Sequence, residues 1–375
     1  MKIALFGGSF DPVHNEHVRY VQAAKAALGL DRVYIIPSHI APHKAFGAAA
    51  SGADRLQMCN LAFRNLPYAE VSDYELRAAG TSYSYLTCRA FAERFPNDEL
   101  YFLVGADMLE DFFTWKNPDD ILAHATLVAC GREGENPAEF REKFFRRFGK
   151  EFISISFAGD AAASHKLRVD LAFRKPTPDL DRAVRRYIDE NRLYGHPAIA
   201  PALALEKPQR REHSYRVALM AVARARSVGV AEGKALLASA LHDCAKYVPL
   251  TSPLLEDFTP PENVPPPVMH QYTGAYLARH AFGIEDEEVL DAIRYHTSGR
   301  AGMTALGKLV FLADMLESGR SFDGVERLRE IFRKDLDRCF YEALREQTEY
   351  LAASGSRVYP LTREAYEYEK ARQNR

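Results

Sequence analysis

The chain has 375 residues, 47% of them hydrophobic and 27% charged, with a formal net charge of −2 and a pI of about 6.7. This composition is typical of a globular protein, and the length favours two domains over one. The chain has no overall basic character, which argues against polymeric nucleic acid as a partner and favours nucleotides.

Five cysteines are scattered along the chain without a CxxC pair. This pattern indicates neither a disulfide framework nor a thiolate zinc site, and it fits a reducing compartment. We find no export signal and no apolar run of membrane-spanning length. We therefore expect a cytoplasmic protein with no membrane partner.

The opening stretch, KIALFGGSFDPVHNEHVR, has the order strand, phosphate loop and helix. The short apolar run Ile3 to Phe6 predicts a buried strand of a parallel sheet. Gly7 and Gly8 lack Cβ atoms, so their backbone N–H groups can approach an anion closely. A helix starting at about Asn15 would direct its free N–H groups and positive dipole end at the same place.

Two histidines stand three residues apart at the start of this helix, at His14 and His17. Residues at i and i+3 share one helix face, so both imidazoles can donate to phosphate oxygens. Such donors stabilise charge on the α-phosphate while two substrates are held in line. The pattern predicts nucleotidyl transfer without a covalent nucleophile.

Strand-like and helix-like stretches alternate through the rest of the first 196 residues. Further strands are expected at Arg32 to Ser38, Ala69 to Leu76, Tyr101 to Asp107, Ala125 to Arg132 and Phe152 to Ser156. Helices are expected at about Asp54 to Phe63, Ser84 to Arg94 and Asp179 to Asn191. This alternation predicts an α/β doubly wound, Rossmann-like domain over residues 1–196, whose ligand lies at the carboxyl ends of the strands.

A stretch with three prolines, residues 197–209, has the composition of a short linker. From Arg210 to the end at residue 375, apolar residues recur at helical spacing and strand-like runs are scarce. We therefore predict a second, all-α domain over residues 210–375.

Histidine and aspartate residues are spaced through this second domain so that each group falls on a separate predicted helix. Several of them share a stripe with apolar residues, where a carboxylate is costly unless a metal or a partner neutralises it. Imidazole and carboxylate ligands without thiolate suit iron, manganese, cobalt or zinc at a hydrolytic site. The candidate residues are His213, His242, Asp243, His270, His296 and Asp314.

The segment GGSFDPVHNEH closely resembles the GGSFDPxHxGH signature of nicotinate-nucleotide adenylyltransferases. The resemblance implies transfer of AMP from ATP, accompanied by Mg²⁺, to nicotinate mononucleotide. It assigns Lys44 to phosphate charge, Asp107 to the nucleotide ribose, Trp115 to stacking on the pyridine ring, and Thr81 and Tyr83 to the nicotinate carboxylate. The other implied nucleotide and substrate contacts are Gly7, Gly8, Ser9, Phe10, Ser164 and Arg168, with His14 and His17 as catalytic residues.

Two departures from that family are visible. Glu16 replaces the glycine before the second histidine, and its carboxylate would crowd or repel a triphosphate unless it turns away. The segment AASHKLR, ending at Arg168, replaces the family's ISSTxIR, so that Ala163 and His165 stand where two hydroxyl donors are expected.

The second domain resembles the HD-domain phosphohydrolases, and most closely the HD-type symmetrical diadenosine tetraphosphatases, through the segments HDCAK, AIRYHTSG and ADMLESGR. The resemblance implies an iron site held by four ligands, with Asp243 also catalytic. Lys246 and Arg320 are expected to bind phosphates, and His270 and His296 to form a second metal site or contact phosphate. The four implied ligands are His213, His242, Asp243 and Asp314.

Together these features predict a bifunctional enzyme that makes deamido-NAD and pyrophosphate and hydrolyses diadenosine tetraphosphate to two ADP. Two alternatives stay open. The first domain could act on another phosphate monoester, or it could be a degenerate module that senses nucleotide for the hydrolase. The sequence leaves a homo-oligomer open.

Overall fold

The computed structural model describes residues 1–39, 49–78, 80–105, 108–131, 138–156 and 164–373. Lys44, Asp107 and Ala163 lie outside these described residues. The chain divides into two compact units. The first comprises Met1–Leu167 with Pro176–Tyr194, and the second comprises Arg168–Lys175 with Gly195–Arg375.

A six-stranded parallel sheet forms the centre of the first unit, with the order β3-β2-β1-β4-β5-β6. The predicted doubly wound α/β class is therefore confirmed. The strands are β1 (Lys2–Gly8), β2 (Arg32–Pro37), β3 (Ala69–Val71), β4 (Glu99–Gly105), β5 (Thr126–Gly131) and β6 (Ile153–Ser156).

Helices follow these strands along the chain. They are α1 (Asn15–Leu28), α2 (Gly52–Phe63), α3 (Tyr74–Arg77), α4 (Ser84–Arg94), α5 (Met108–Phe112), α6 (Pro118–His124), α7 (Ala138–Phe148), α8 (Ser164–Ala172) and α9 (Arg182–Glu190). Helix α8 begins in the first unit and ends in the second.

The third strand is shorter than predicted, because the expected strand Ala69 to Leu76 ends at Val71 and continues as helix α3. The side chain of Glu75 on this helix is buried and accepts a hydrogen bond from Thr87 Oγ1 at 2.7 Å. A buried carboxylate needs such a partner, so the helical turn that brings Glu75 to Thr87 replaces further strand pairing.

The direction of strand order reverses between β1 and β4, where the two strands pair in parallel. Residues Ile3, Leu5 and Leu103 of these strands are fully buried, as expected for a central strand covered on both faces. In open α/β sheets a ligand binds beside such a reversal, at the carboxyl ends of the strands. Gly7 and Gly8 occupy that end of β1.

The described residues of the second unit form helices joined by turns and loops, without a strand, as predicted. Its helices are α10 (Ile199–Ala204), α11 (Pro208–Ala225), α12 (Glu232–Leu241), α13 (Pro266–His280), α14 (Glu287–Arg294), α15 (Ala305–Leu316), α16 (Val325–Lys334), α17 (Leu336–Ala353) and α18 (Pro360–Gln373). Two short 3₁₀ turns lie at Arg226–Val228 and Pro253–Leu255. None of the described helices combines the length and the apolar character needed to cross a membrane.

Residues 197–209, which the sequence analysis interprets as a linker, contain helix α10 and the start of α11. Pro201 falls in the first turn of α10 and Pro208 is the first residue of α11, positions where a missing N–H costs nothing. Ile199 and Ala202 are buried in the helical core. These prolines therefore mark helix starts.

Helix α15 is the most enclosed element of the second unit, since nearly all of its side chains from Leu306 to Ala313 are buried. The segment Arg168–Lys175 also belongs to this unit: Val169 joins its core, and Asp170 accepts a hydrogen bond from Tyr215 Oη at 2.6 Å. Asp314 follows the buried stretch of α15.

Candidate active sites

The phosphate loop of the first unit is shaped by an aromatic ring. Phe10 has a positive φ of 47° and is 2% exposed. A Cβ atom on Gly8 would lie 3.0 Å from Cζ of this ring, so only glycine fits there without displacement. On Gly7 the nearest atom to such a Cβ would be Phe102 Cε2 at 4.0 Å, an ordinary contact. The glycine requirement set by packing is therefore at Gly8.

Two buried polar side chains, missed by the sequence analysis, fix this loop. Arg55 donates from Nη1 to the Ser9 carbonyl at 2.8 Å and from Nε to the Ala50 carbonyl at 3.3 Å. Asp11 accepts from the Ala50 amide at 3.1 Å. Burial lowers the pKa of Arg55. No local pattern could have revealed Arg55, because a basic residue inside a helix usually faces solvent.

The two histidines of the signature are in contact, with ring centroids 3.7 Å apart. The backbone N–H of His14 donates to Nδ1 of His17 at 3.1 Å, so a neutral His17 ring carries its hydrogen on Nε2. Burial lowers the pKa of His14 to about 4, and its ring is neutral near pH 7. Phe10 also packs edge-on against His17, at 5.1 Å between centroids. The arrangement offers imidazole donors beside the end of β1.

Glu16, the departure from the family signature, is buried and forms an ion pair with Arg19. The two residues are at i and i+3 on helix α1, a spacing that brings side chains together. The guanidinium offsets the carboxylate charge, which reduces repulsion of a bound phosphate. The spacing of Glu16 and Arg19 is visible in the sequence and could have predicted this ion pair.

The predicted pyridine-binding residues lie in two environments. Trp115 packs against Phe102 and Phe112, with ring centroids 6.2 and 5.4 Å apart. Tyr83 lies under the ammonium of Lys116, which is 4.2 Å from its ring centroid. Thr81 is exposed. Partial burial of Trp115 gives the indole a packing role in the first unit.

Two residues predicted to contact ATP, Ser164 and Arg168, belong to different units. Ser164 lies in the first unit and donates from Oγ to the Pro12 carbonyl at 3.4 Å. Arg168 lies in the second unit, where it is buried and paired with Glu232. The structure therefore places the Arg168 guanidinium against a carboxylate, where the sequence predicted a phosphate.

The histidines and aspartates of the second unit come from five helices and converge. His213 lies on α11, His270 on α13 and Asp314 on α15. The doublet His242 and Asp243 follows the last residue of α12, and His296 follows α14. All but Asp314 are buried, with its side chain 19% exposed. The predicted set thus assembles at one place in the helical unit.

Donor atoms in this cluster are close enough to share a metal ion. His213 Nε2 lies 2.9 Å from Asp314 Oδ1, and His242 Nε2 lies 3.9 Å from the same oxygen. Two groups have all their donor atoms within 4.8 Å of one another. They are His213, His242 and Asp314, and His242, Asp243 and His296.

Three of the four histidines are oriented through their Nδ1 atoms. Nδ1 of His242 and of His296 lies 2.7 Å from the carbonyl oxygen three residues earlier, and Nδ1 of His213 lies 3.1 Å from Glu317 Oε1. An Nδ1–H donor leaves the Nε2 lone pair pointing into the cluster, the arrangement that metal-binding histidines use.

The cluster also contains buried atoms that need a partner. Among the described residues, His213 Nε2, His242 Nε2 and Asp243 Oδ1 are buried without a hydrogen-bond partner. Orphaned buried polar atoms are costly, and a divalent cation would satisfy them together. The donor set of imidazole and carboxylate therefore fits a divalent metal ion.

Protonation in the cluster matches metal binding. Burial lowers the pKa of His242 to about 3, so its ring is neutral. Burial would raise the pKa of Asp314, but the neighbouring imidazoles of His213 and His242 outweigh it and hold the pKa below its usual range. Neutral imidazole and ionised carboxylate are the forms that bind metals.

Asp243 joins two sets of side chains. Its Oδ2 faces His242 at 3.5 Å, and its Oδ1 faces Nε2 of His270 at 3.1 Å and of His296 at 3.6 Å. A carboxylate placed in this way can bridge two neighbouring cations, or a cation and a phosphate-binding group.

Three cations surround the cluster. Lys246 Nζ lies 3.0 Å from His270 Nε2, and Arg320 Nη2 donates to Asp314 Oδ1 at 2.7 Å. Arg210, which the sequence analysis missed, lies 2.8 Å from Asp243 Oδ2. It stands three residues before His213 on the same helix, a spacing that could have identified it.

Comparison with known proteins gives the same division. Residues 5–177 match the family model described as Cytidylyltransferase-like, and residues 210–319 match the model described as HD domain. The first half of the chain also resembles a probable nicotinate-nucleotide adenylyltransferase of Desulfitobacterium hafniense, with 33% identity over 52% of this chain and 95% of the relative.

Two relatives cover both units. A probable nicotinate-nucleotide adenylyltransferase/Ap4A hydrolase of Mycoplasma genitalium is 30% identical over 85% of this chain and 88% of its own length. A protein of the same description from Mycoplasma pneumoniae is 29% identical over 91% of this chain and 97% of its own length. On this evidence, the chain belongs to the family of bifunctional nicotinate-nucleotide adenylyltransferase/Ap4A hydrolases.

Proposed function

We propose that the first unit transfers AMP from ATP to nicotinate mononucleotide, and that the second hydrolyses diadenosine tetraphosphate to two ADP. The observation that carries the hydrolase is the convergence of imidazole and carboxylate donors from five helices around Asp243. For the transferase it is the contact between His14 and His17 beside the end of β1.

In the first unit the work is positioning and charge stabilisation. The His17 ring, held by the His14 amide at 3.1 Å, presents Nε2–H to a phosphate oxygen. The mononucleotide phosphate attacks the α-phosphorus of ATP, and pyrophosphate leaves. Mg²⁺ bound together with ATP would neutralise part of the phosphate charge.

In the second unit, His213, His242, Asp243 and Asp314 would hold the metal ion, which we propose to be iron. A divalent cation there would lower the pKa of water and neutralise phosphate charge. Lys246 and Arg320 bind phosphate oxygens, and His270 and His296 contact phosphate or complete a second site. Water adds to one of the two central phosphorus atoms, the bridging P–O bond between them breaks, and each half leaves as ADP.

The test measures bound metal and reaction products on the full chain. Wild-type protein should give deamido-NAD from ATP and nicotinate mononucleotide, and ADP alone from diadenosine tetraphosphate. His17→Ala should abolish the first reaction and Asp314→Asn the second. Retention of either activity in its matched variant would refute that site assignment.

The Glu16→Gly variant distinguishes the proposed transferase from the alternative, a module that only senses nucleotide. We expect transferase activity in both forms, because Arg19 already offsets the Glu16 charge. Absence of transferase activity from both forms, with nucleotide still bound, would favour the sensor.

A further inference from the structure

A cleft of about 780 Å³ adjoins the cluster around Asp243. His296 and Asp314 belong to both the cleft and the cluster. The volume lies within the range of about 300 to 1,000 Å³ that small-molecule sites occupy. The cleft therefore has room for a nucleotide beside the proposed hydrolytic centre.

Aromatic side chains line this cleft beyond what packing requires. Phe311 is buried, whereas Phe322 is 37% exposed and Tyr350 is 73% exposed. The exposed rings of Phe322 and Tyr350 leave apolar faces accessible in the cleft, and such faces stack readily on a nucleobase.

Basic and acidic side chains lie at different places in the cleft. Arg320 lies at the metal end, where it contacts Asp314 at 2.7 Å. The carboxylates of Glu346 and Glu349 belong to the wall formed by α17. Glu346 is already paired with Arg327. A phosphate chain is attracted to Arg320, whereas ribose hydroxyls can donate to the carboxylates of the wall.

The α17 wall of the cleft is linked to the donor cluster through the side-chain amide of Gln347. Gln347 Nε2 donates to the Thr297 carbonyl at 3.4 Å, which ties α17 to the turn that carries His296. This hydrogen bond connects the helix that carries Glu346, Glu349 and Tyr350 to the donor cluster.

We infer that this cleft holds the nucleoside of one half of the substrate, with its base stacked on Phe322 and Tyr350 and its phosphates directed to Arg320. The inference rests on the proposed hydrolase function. On this inference, residues of α17 and of the segment before α16 make the site selective for a nucleoside polyphosphate over a bare polyphosphate.

The experiment compares binding of ADP and of inorganic pyrophosphate to the full-length protein loaded with Mn²⁺, by calorimetry. Wild type should prefer ADP. Phe322→Ala and Tyr350→Ala should each reduce that preference about 5- to 150-fold, the range expected for one stacked ring. Tyr368→Ala, which removes another ring that is 44% exposed and lies outside the cleft lining, should leave the preference unchanged.

An unchanged ADP preference in both cleft variants, with metal content equal to wild type, would overturn the inference. Hydrolysis of diadenosine tetraphosphate is measured in parallel, where the variants should raise KM. A wild type that prefers ADP but does not hydrolyse the dinucleotide would refute the proposed function and leave the nucleoside site standing.

Discussion

Glu317 Oε1 lies 3.1 Å from Nδ1 of His213, and the same carboxylate pairs with Arg216. Burial would raise the pKa of Glu317, but hydrogen bonds from Arg216, the Gly319 amide and His213 outweigh it and lower the pKa to about 2. The ionised carboxylate thus fixes the orientation of a candidate metal ligand.

Glu317→Gln should weaken metal binding about 10- to 100-fold, because partners of this kind orient the ligating ring. The dissociation constant for Mn²⁺ is measured directly by calorimetry. Glu287→Gln, which alters an exposed ion pair with Arg279, serves as the control. Equal affinities in the two variants would contradict the role given to Glu317.

Gly8→Ala should destabilise the first unit by about 1 to 3 kcal/mol, because the added methyl group overlaps the Phe10 ring. Urea unfolding followed by the fluorescence of Trp115, the chain's single tryptophan, measures this change. Gly7→Ala is the matched comparison, since its Cβ would meet nothing closer than 4.0 Å. A smaller loss in Gly8→Ala than in Gly7→Ala would be inconsistent with the packing described.

Arg55→Met should lower transferase turnover by up to about 100-fold, because the Ser9 and Ala50 carbonyls lose their donor and the phosphate loop shifts. Arg64→Met removes a partly exposed ion pair with Asp181 and should have little effect. Initial rates at saturating ATP compare the two, and similar rates would count against a positioning role for Arg55.

The first unit should lose stability as pH falls below 6.5, partly through His14. Its pKa is about 4 in the folded protein and 6.5 for an ordinary histidine, so the unfolded chain binds the proton first. Linkage then removes about 2 kcal/mol of stability by pH 5, and none above pH 7. His14→Gln should lose less stability than wild type over this interval, as measured by urea unfolding with Trp115 fluorescence at several pH values.

Much of the fold and many of the candidate site residues could be predicted from local sequence patterns. Apolar runs predicted the central strands because buried parallel strands are continuously hydrophobic. The histidines and aspartates of the second unit could be identified because their residue types and their positions on apolar stripes are both unusual. The resemblance to known families supplied the roles.

What escaped prediction depends on contacts between residues distant in sequence. Arg55 reaches Ser9 across 46 positions and Glu317 reaches His213 across 104, so neither partnership leaves a local trace. The end of β3 at Val71 depends on where Glu75 finds Thr87. Prolines in residues 197–209 were interpreted as breaks although Pro208 starts a helix.

Helix α8 has a consequence for dividing the protein. A fragment beginning at Gly195 would lack Asp170, the partner of Tyr215, and Val169 from its core. A fragment ending at Leu167 would lack helix α9, and one ending at Tyr194 would retain Arg168 without Glu232. No single cut leaves both sets of contacts intact, so each separated fragment of this chain would lose a packing or ion-pair partner.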